Sequence, residues 1–460
     1  MNIKFIFLVL PFVLVNKENA MAMTIGEFIQ QAERNDPNYQ MIVNENRKKN
    51  YVVDEGLPSR EFLISVEAEK GVSSEDDDDT ETITSSISKD IIETGTSVSV
   101  SHTQSLQPDR EEDVTEIRLE QDLVKNFLGR DVRLEKTSLK NEVEAIHAES
   151  LELYEEYLNE ILSEFLDYQQ ANIDVQLSQE AMNRVERLKS NVLQKFRKKI
   201  ASQSDVDQAS LQVLLRKEDL IEKRRIFQEK KETIAEILGS AENLPQSESL
   251  FEKIFTFFSE KKSELPKIEN LRSTRALELR RQIADNDLVL AKRDTHASLR
   301  FVAGYDIDNS ERFSSTVNRE ETILGLKVEL PLWNTTGQAG IKSAANASAE
   351  SAINLQVNRK DKSTLRRQLL VRLEQQRDQR ELNAEKVRLA KRVYQAELKR
   401  YNYGKISLTD LMELESNIVN YRLDQQAVEI EYGKSILSWL ELNDQLLDFR
   451  NSVAGKSLDF

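Results

Sequence analysis

Asp410 and Glu413 stand three residues apart in "RYNYGKISLTDLMELESN" (400–417), where a new helical pattern begins after a turn. At that spacing both carboxylates fall on one face of the helix's first turn. Two chemistries are open to them. As N-terminal acids they are favoured by the helix dipole, with Ser407 or Thr409 as the cap. As an exposed pair they attract cations and repel anions. Catalysis is not among the options: the chain has no GxSxG, no P-loop, no GxGxxG and no nucleophile beside a base, so it reads as a non-enzyme. His102, His147 and His296 lie far apart, without HExxH spacing, and read as surface or packing residues. No metal or other cofactor is expected. The acidic run "EDDDDTE" (75–81) lacks the alternating ligands and the glycine of a calcium loop and reads as a solvated segment.

Composition narrows the classes further. The net charge is −16, with 31% charged residues, so a nucleic-acid partner is not expected. The absence of cysteine excludes disulfides, iron–sulfur clusters, cysteine zinc sites and lipidation through an N-terminal cysteine. Only 13 glycines and 7 prolines punctuate 460 residues, which favours long helices. Lys4, the apolar "FIFLVLPFVLV" (5–15) and "AMA" (20–22) read as a signal peptide over 1–22, with an exported mature chain from Met23. Beyond it no apolar run approaches 18 residues. Entry into a membrane would therefore require strands closed into a barrel.

The elements that must position Asp410 and Glu413 are long helices. Across 132–202, Leu151, Leu158 and Phe165 recur every seven residues, interleaved with Tyr154, Ile161 and Tyr168. Leu153, Leu162 and Leu166 widen this stripe, so more than one neighbour is expected. About 70 residues at 1.5 Å rise would extend roughly 105 Å. Helical patterns also cover 24–50, 205–238, 268–296, 340–402 and 408–447. Alternation predicts strands at 61–69, 96–102 and 115–121, and again at 301–308 and 322–333. A further hairpin around 85–104 fits the length of segment 71–114.

The order helix, strands, long helix pair occurs twice, an internal twofold repeat. "KFRKKIASQSDV" (195–206) matches "RYNYGKISLTDL" (400–411) at an offset of 205, with Asp205 over Asp410. The expected organisation is a first repeat over 23–240 with strands within about 61–121, and a linker at 241–267. A second repeat follows over 268–448 with strands within about 300–331, then a tail at 449–460.

Four stretches in this order resemble the TolC-like outer-membrane efflux proteins: "IGEFIQQAERNDPNY" (25–39), "LEQDLVKNFLGRDVRLEK" (119–136), "VELPLWNTTGQAGIKSA" (328–344) and "RYNYGKISLTDLMELE" (400–415). The resemblance covers about 24 to 448. It implies a mainly α chain with a β-barrel portion, in which a homotrimer closes a twelve-stranded barrel in the outer membrane from four or more strands per chain. Long antiparallel coiled-coil helices would form a tunnel in the periplasm, with 239–267 as a collar around its middle. It also implies a passive exit duct for efflux or type I secretion, docked by a periplasmic adaptor and an inner-membrane transporter. Asp410 and Glu413 fall on the positions of acidic rings lining the periplasmic aperture. Tyr401, Ser204 and Asp205 fall on those whose polar contacts hold the tip shut. The usual basic partner falls on Ile406, which leaves neighbouring Lys405 as a substitute. Lys198 and Lys199 are candidates for adaptor docking. The alternative is an exported periplasmic coiled-coil structural or adaptor protein without a pore.

Overall fold

The computed structural model describes residues 23–58, 61–71, 80–107, 110–240, 249–312 and 315–455. The expected signal segment, acidic residues 75–79, residues 241–248 of the linker and the last residues 456–460 lie outside them. The helices are α1 (Ile25–Asn35), α2 (Pro37–Arg47), α3 (Val52–Gly56), α4 (Arg130–Arg197), α5 (Gln203–Leu238), α6 (Leu250–Lys261), α7 (Arg272–Asp294), α8 (Thr335–Asn402), α9 (Leu408–Leu442) and α10 (Leu446–Ala454). The strands are β1 (Phe62–Gly71), β2 (Thr80–Ile91), β3 (Thr96–Gln107), β4 (Arg110–Asp122), β5 (Ser298–Arg312) and β6 (Ser315–Glu329). The chain divides into two units. One holds residues up to 41, 154–265 and 366 onward; the other holds 42–153 and 266–365.

In the first unit, the heptad residues Tyr154, Leu158, Ile161, Phe165 and Tyr168 are all buried. Leu162 and Leu166 are buried beside them, while Leu153, in the other unit, is exposed rather than part of the stripe. Phe28 of α1 packs against Phe165 with ring centroids 4.9 Å apart and planes tilted by 44°. The Tyr157 hydroxyl donates to Asp36 at 3.0 Å, the Tyr154 hydroxyl donates to Glu33, and Arg450 of α10 clamps the same Glu33 at 2.7 and 2.9 Å. The pattern over 24–50 reads as one helix but breaks at Asp36. A residue before proline is pushed out of the helical region, and Asp36 sits at φ −76°, ψ 122°, while Pro37 opens α2 where its missing N–H costs nothing. The segment 239–267 contains α6, whose Phe251 lies against Gly433 with its ring centroid 6.3 Å from that of Tyr432.

In the second unit all six strands form one antiparallel sheet in the order β1-β2-β3-β4-β5-β6. The expected strands are present, the last ending at Glu329 before Leu330–Trp333. The resemblance implies four or more strands from each chain; the sheet has six. Strand β2 was legible only as part of a hairpin near 85–104, because its apolar residues Ile83, Ile87 and Ile91 recur every four positions among Ser, Thr and charge.

The register sorts the side chains by face. One row runs Phe62, Lys89, Val98, Leu119, Ala303, Leu324; the next runs Ile64, Ile87, Val100, Ile117, Tyr305, Thr322. This face is largely apolar and unburied. The opposite face carries Thr84, Ser86 and Ser88 of β2, Ser99 and Ser101 of β3, then Glu116, Arg118 and Asp306. Arg118 pairs with Asp306 there, and Arg300 with Glu120 at 3.3 Å. The apolar band also slants: on β1 it covers Phe62 to Ala68, whereas on β6 it covers Leu324 to Val328, on the other side of the shared row. A slide of about five residues across five strand spacings corresponds to a tilt of about 35°, the range of closed barrels. Among the described residues no helix is long and apolar enough to cross a membrane.

Candidate functional site

Two turns in the first unit carry the candidate residues, one joining α4 to α5 and the other α8 to α9. Each long helix ends the same way. Ile200 N–H donates to Lys195 O at 2.9 Å and Lys199 N–H to Phe196 O at 2.8 Å; Lys405 N–H donates to Arg400 O at 2.9 Å and Gly404 N–H to Tyr401 O at 3.0 Å. This paired closure places one residue in the left-handed region. It is Lys199 (φ +59°) in the first turn and Gly404 (φ +69°) in the second.

Each following helix then opens with a capping box. Ser202 Oγ accepts from Asp205 N–H at 3.1 Å while Asp205 accepts from Ser202 N–H at 2.8 Å. Ser407 Oγ accepts from Asp410 N–H at 3.1 Å, and Asp410 accepts in return at 3.4 Å. Ser407, not Thr409, is therefore the cap; the Thr409 hydroxyl donates to Gln208 at 3.4 Å. Asp410 remains exposed, and Glu413 is exposed three residues further along the same face. Capping and solvent-facing charge coexist in Asp410, because the cap engages one carboxylate oxygen.

Beneath the turns lies an apolar cluster of Leu188, Val192, Ala209, Tyr401, Leu408 and Leu411, with Ile406 packed against it. The aliphatic residue at 406 is thus part of the packing of the tip. Tyr401 is buried, and its phenol is pushed above the usual range, first by burial and then by the charge of Asp205. Lys195 Nζ lies 3.6 Å from the Tyr401 ring centroid and donates to Tyr401 O at 2.9 Å. Burial holds the Lys195 ammonium below its usual range. Ser204, Lys405, Lys198 and Lys199 are all exposed. The fold therefore brings Tyr401 and Asp205 close, while Lys405 is exposed.

Three features escaped the reading of residues one by one. Lys195 is the cation at Tyr401. One to two turns from Asp410, Glu415 is fully buried between Arg184 at 3.3 Å and Arg216 at 3.1 Å, with Arg216 also reaching Ser416 at 2.9 Å. Its signal was available: Leu408, Leu411, Glu415 and Ile418 form one apolar stripe interrupted by a charge. Behind the turns lies a cavity of about 540 Å³ lined by Arg184, Arg187, Lys391 and Arg422 among other residues, a cationic surface in an acidic chain. Among the described residues no cluster of His, Asp and Glu is arranged to hold a metal ion.

No protein-family profile and no curated protein matches the chain. Solved structures do. CusC, described by its transmembrane channel formation, superposes with a TM-score of 0.70 at 12% identity, over 94% of this chain and 96% of that one. The outer membrane protein VceC of Vibrio cholerae gives 0.67 at 12%, over 91% and 95%. The CmeC outer membrane channel of Campylobacter jejuni gives 0.67 at 13%, over 91% and 85%.

Proposed function

We propose, from a fold shared with TolC-like outer-membrane efflux channels, that this chain is the exit duct of a tripartite efflux or type I secretion system. The observation that carries the reading is the sheet. It has one exposed apolar face, one polar face and a slant of barrel type, in a chain whose described helices include none able to span a bilayer. Open sheet edges are not tolerated in lipid, so the strands of several copies must close on one another. Helix α8 supports self-association, since Val371, Leu382 and Leu389 are exposed along it. A homotrimer in the outer membrane, with its helices in the periplasm as a passive tunnel, satisfies these requirements.

An internal duplication accounts for the matched halves. Helices α4 and α8 both have 68 residues and begin 205 positions apart. The left-handed residues Leu128 and Trp333, Lys199 and Gly404, and Gly239 and Asp444 keep the same offset. The two turns then form the periplasmic mouth. Three copies of Asp410 and Glu413 ring it and select cations. Tyr401 and Asp205 hold the tip together, with Lys195 rather than Lys405 as the basic partner and Ser204 at the rim. Lys198, Lys199 and the cationic cavity behind them face an acidic adaptor surface, and an inner-membrane transporter supplies the cargo.

Single-channel conductance in a planar bilayer tests this directly. The wild-type chain should give a small cation-selective conductance that rises and loses selectivity in Asp410→Ala/Glu413→Ala. A pore indifferent to both substitutions would remove the acidic mouth but keep the channel. Protein that forms no pore and partitions into water would return the chain to the periplasmic coiled-coil class.

A further inference from the structure

Residues 57–95 stand between α3 and β3, whereas only residues 295–297 stand between α7 and β5. Beyond those points the two halves keep step, so β3–β4 answers to β5–β6, and β1–β2 has no counterpart. The extra hairpin leaves and rejoins the chain at one place. Leu57 before it and Ile92 after it are buried together with Val132, backed by Val53 and Leu139. The return is tight: at Gly129, with φ +69°, an added Cβ would stand 2.1 Å from Glu93 O.

This hairpin is continuous with the sheet. Strand β2 pairs with β3 from Glu81↔Leu106 to Ile91↔Thr96. Its residues obey the polarity of the other four strands. Phe62, Ile64, Val66, Ile83 and Ile87 extend the apolar face, and hydroxyl pairs line the polar one: Ser65 with Ser86 at 2.7 Å, Thr82 with Ser105 at 3.1 Å, Thr84 with Thr103 at 3.3 Å. Every residue of β1 is exposed, and β1 and β6 are the two free edges. With six alternating strands, β6 of one copy runs antiparallel to β1 of the next, the direction a shared ladder requires.

We propose that β1–β2 is an insertion in the barrel wall, so that the β6 edge of each copy pairs with the β1 edge of a second copy. This rests on the membrane trimer proposed above. Three copies then close eighteen strands instead of twelve, and because barrel diameter grows roughly linearly with strand number, the lumen widens by about half. The added lining is hydroxyl-rich, with Glu67, Glu69 and Asp90 as its charges.

The chain contains no cysteine, so paired cysteines report the edge contact without background. In the full chain, Val66→Cys on β1 would be combined in turn with Leu324→Cys, Leu326→Cys and Val328→Cys on β6. A parallel series would use Val100→Cys on β3. After oxidation or a short bis-maleimide, the Val66 series should yield covalent dimers and trimers in at least one register, and the Val100 series none. Cross-linking in the Val100 series would overturn the proposal, placing the hairpin off the wall. So would the failure of both series in protein that an amine cross-linker still fixes as a trimer. An amine cross-linker that fixes no trimer would overturn the trimer reading itself, and the insertion with it.

Discussion

Glu415 shows what a single buried charge does at the tip. Its buried carboxylate is held by Arg184 and Arg216. Removing it takes from the buried Arg216 guanidinium its one buried carboxylate partner and leaves it the more exposed Asp219 and Ser416, while Arg184 keeps Glu180. Breaking such a group by deleting one partner typically costs about 3 kcal/mol or more, whereas replacing both partners with apolar residues is close to neutral. Glu415→Ala should therefore lower thermal stability in detergent markedly, and Glu415→Leu/Arg216→Met should recover much of the loss. Tyr154 and Tyr157 act at the other end of the same unit. Burial, reinforced by the charges of Glu33 and Asp36 respectively, raises both phenols far above the ordinary tyrosine range. A raised folded-state value means that their stabilisation is complete below about pH 10 and is lost as the pH climbs above it, where only the unfolded chain ionises. Denaturant midpoints should fall above pH 10, and the fall should be shallower in Tyr157→Phe.

At the scale of the element, the two helical turns make a matched experiment. Both close with a left-handed residue, but one uses lysine and the other glycine. The left-handed region costs a residue with a Cβ about 1 kcal/mol. Lys199→Gly should stabilise the protein by about that amount, and Gly404→Ala should destabilise it similarly, since an added Cβ at 404 meets no atom within 4 Å and only the backbone term remains. The caps are matched as well. Ser407→Ala should cost about 1 kcal/mol in denaturant unfolding, and it should also loosen Asp410, whose backbone N–H bonds to that hydroxyl. A conductance trace of Ser407→Ala noisier than wild type would report that loosening at the proposed pore mouth.

For the whole molecule, the proposed trimer would cover the exposed apolar residues of α8 and pair the two free sheet edges. Leu389→Glu, which puts a charge on an exposed apolar position of α8, should reduce the trimer fraction in analytical ultracentrifugation while helical content is retained. The sequence by itself determined the local structure: the long helices from their heptads, the strands from alternation, and the turns from Ser-x-x-Asp boxes that recur 205 residues apart. These are legible because each is set by residues within a few positions of one another. It also marked Asp410 and Glu413 as sharing a face, and both are exposed. Only the tertiary structure decided what depends on distant segments. That all six strands share one sheet follows from pairing β4 with β5 across some 175 residues of intervening chain, a contact that no local pattern encodes. That Lys195 rather than Lys405 meets Tyr401, and that Glu415 lies between two arginines, follows from which helix faces meet. Periodicity defines each helix's apolar face but does not name the partner across it, and charged side chains reach that partner only once the packing is set.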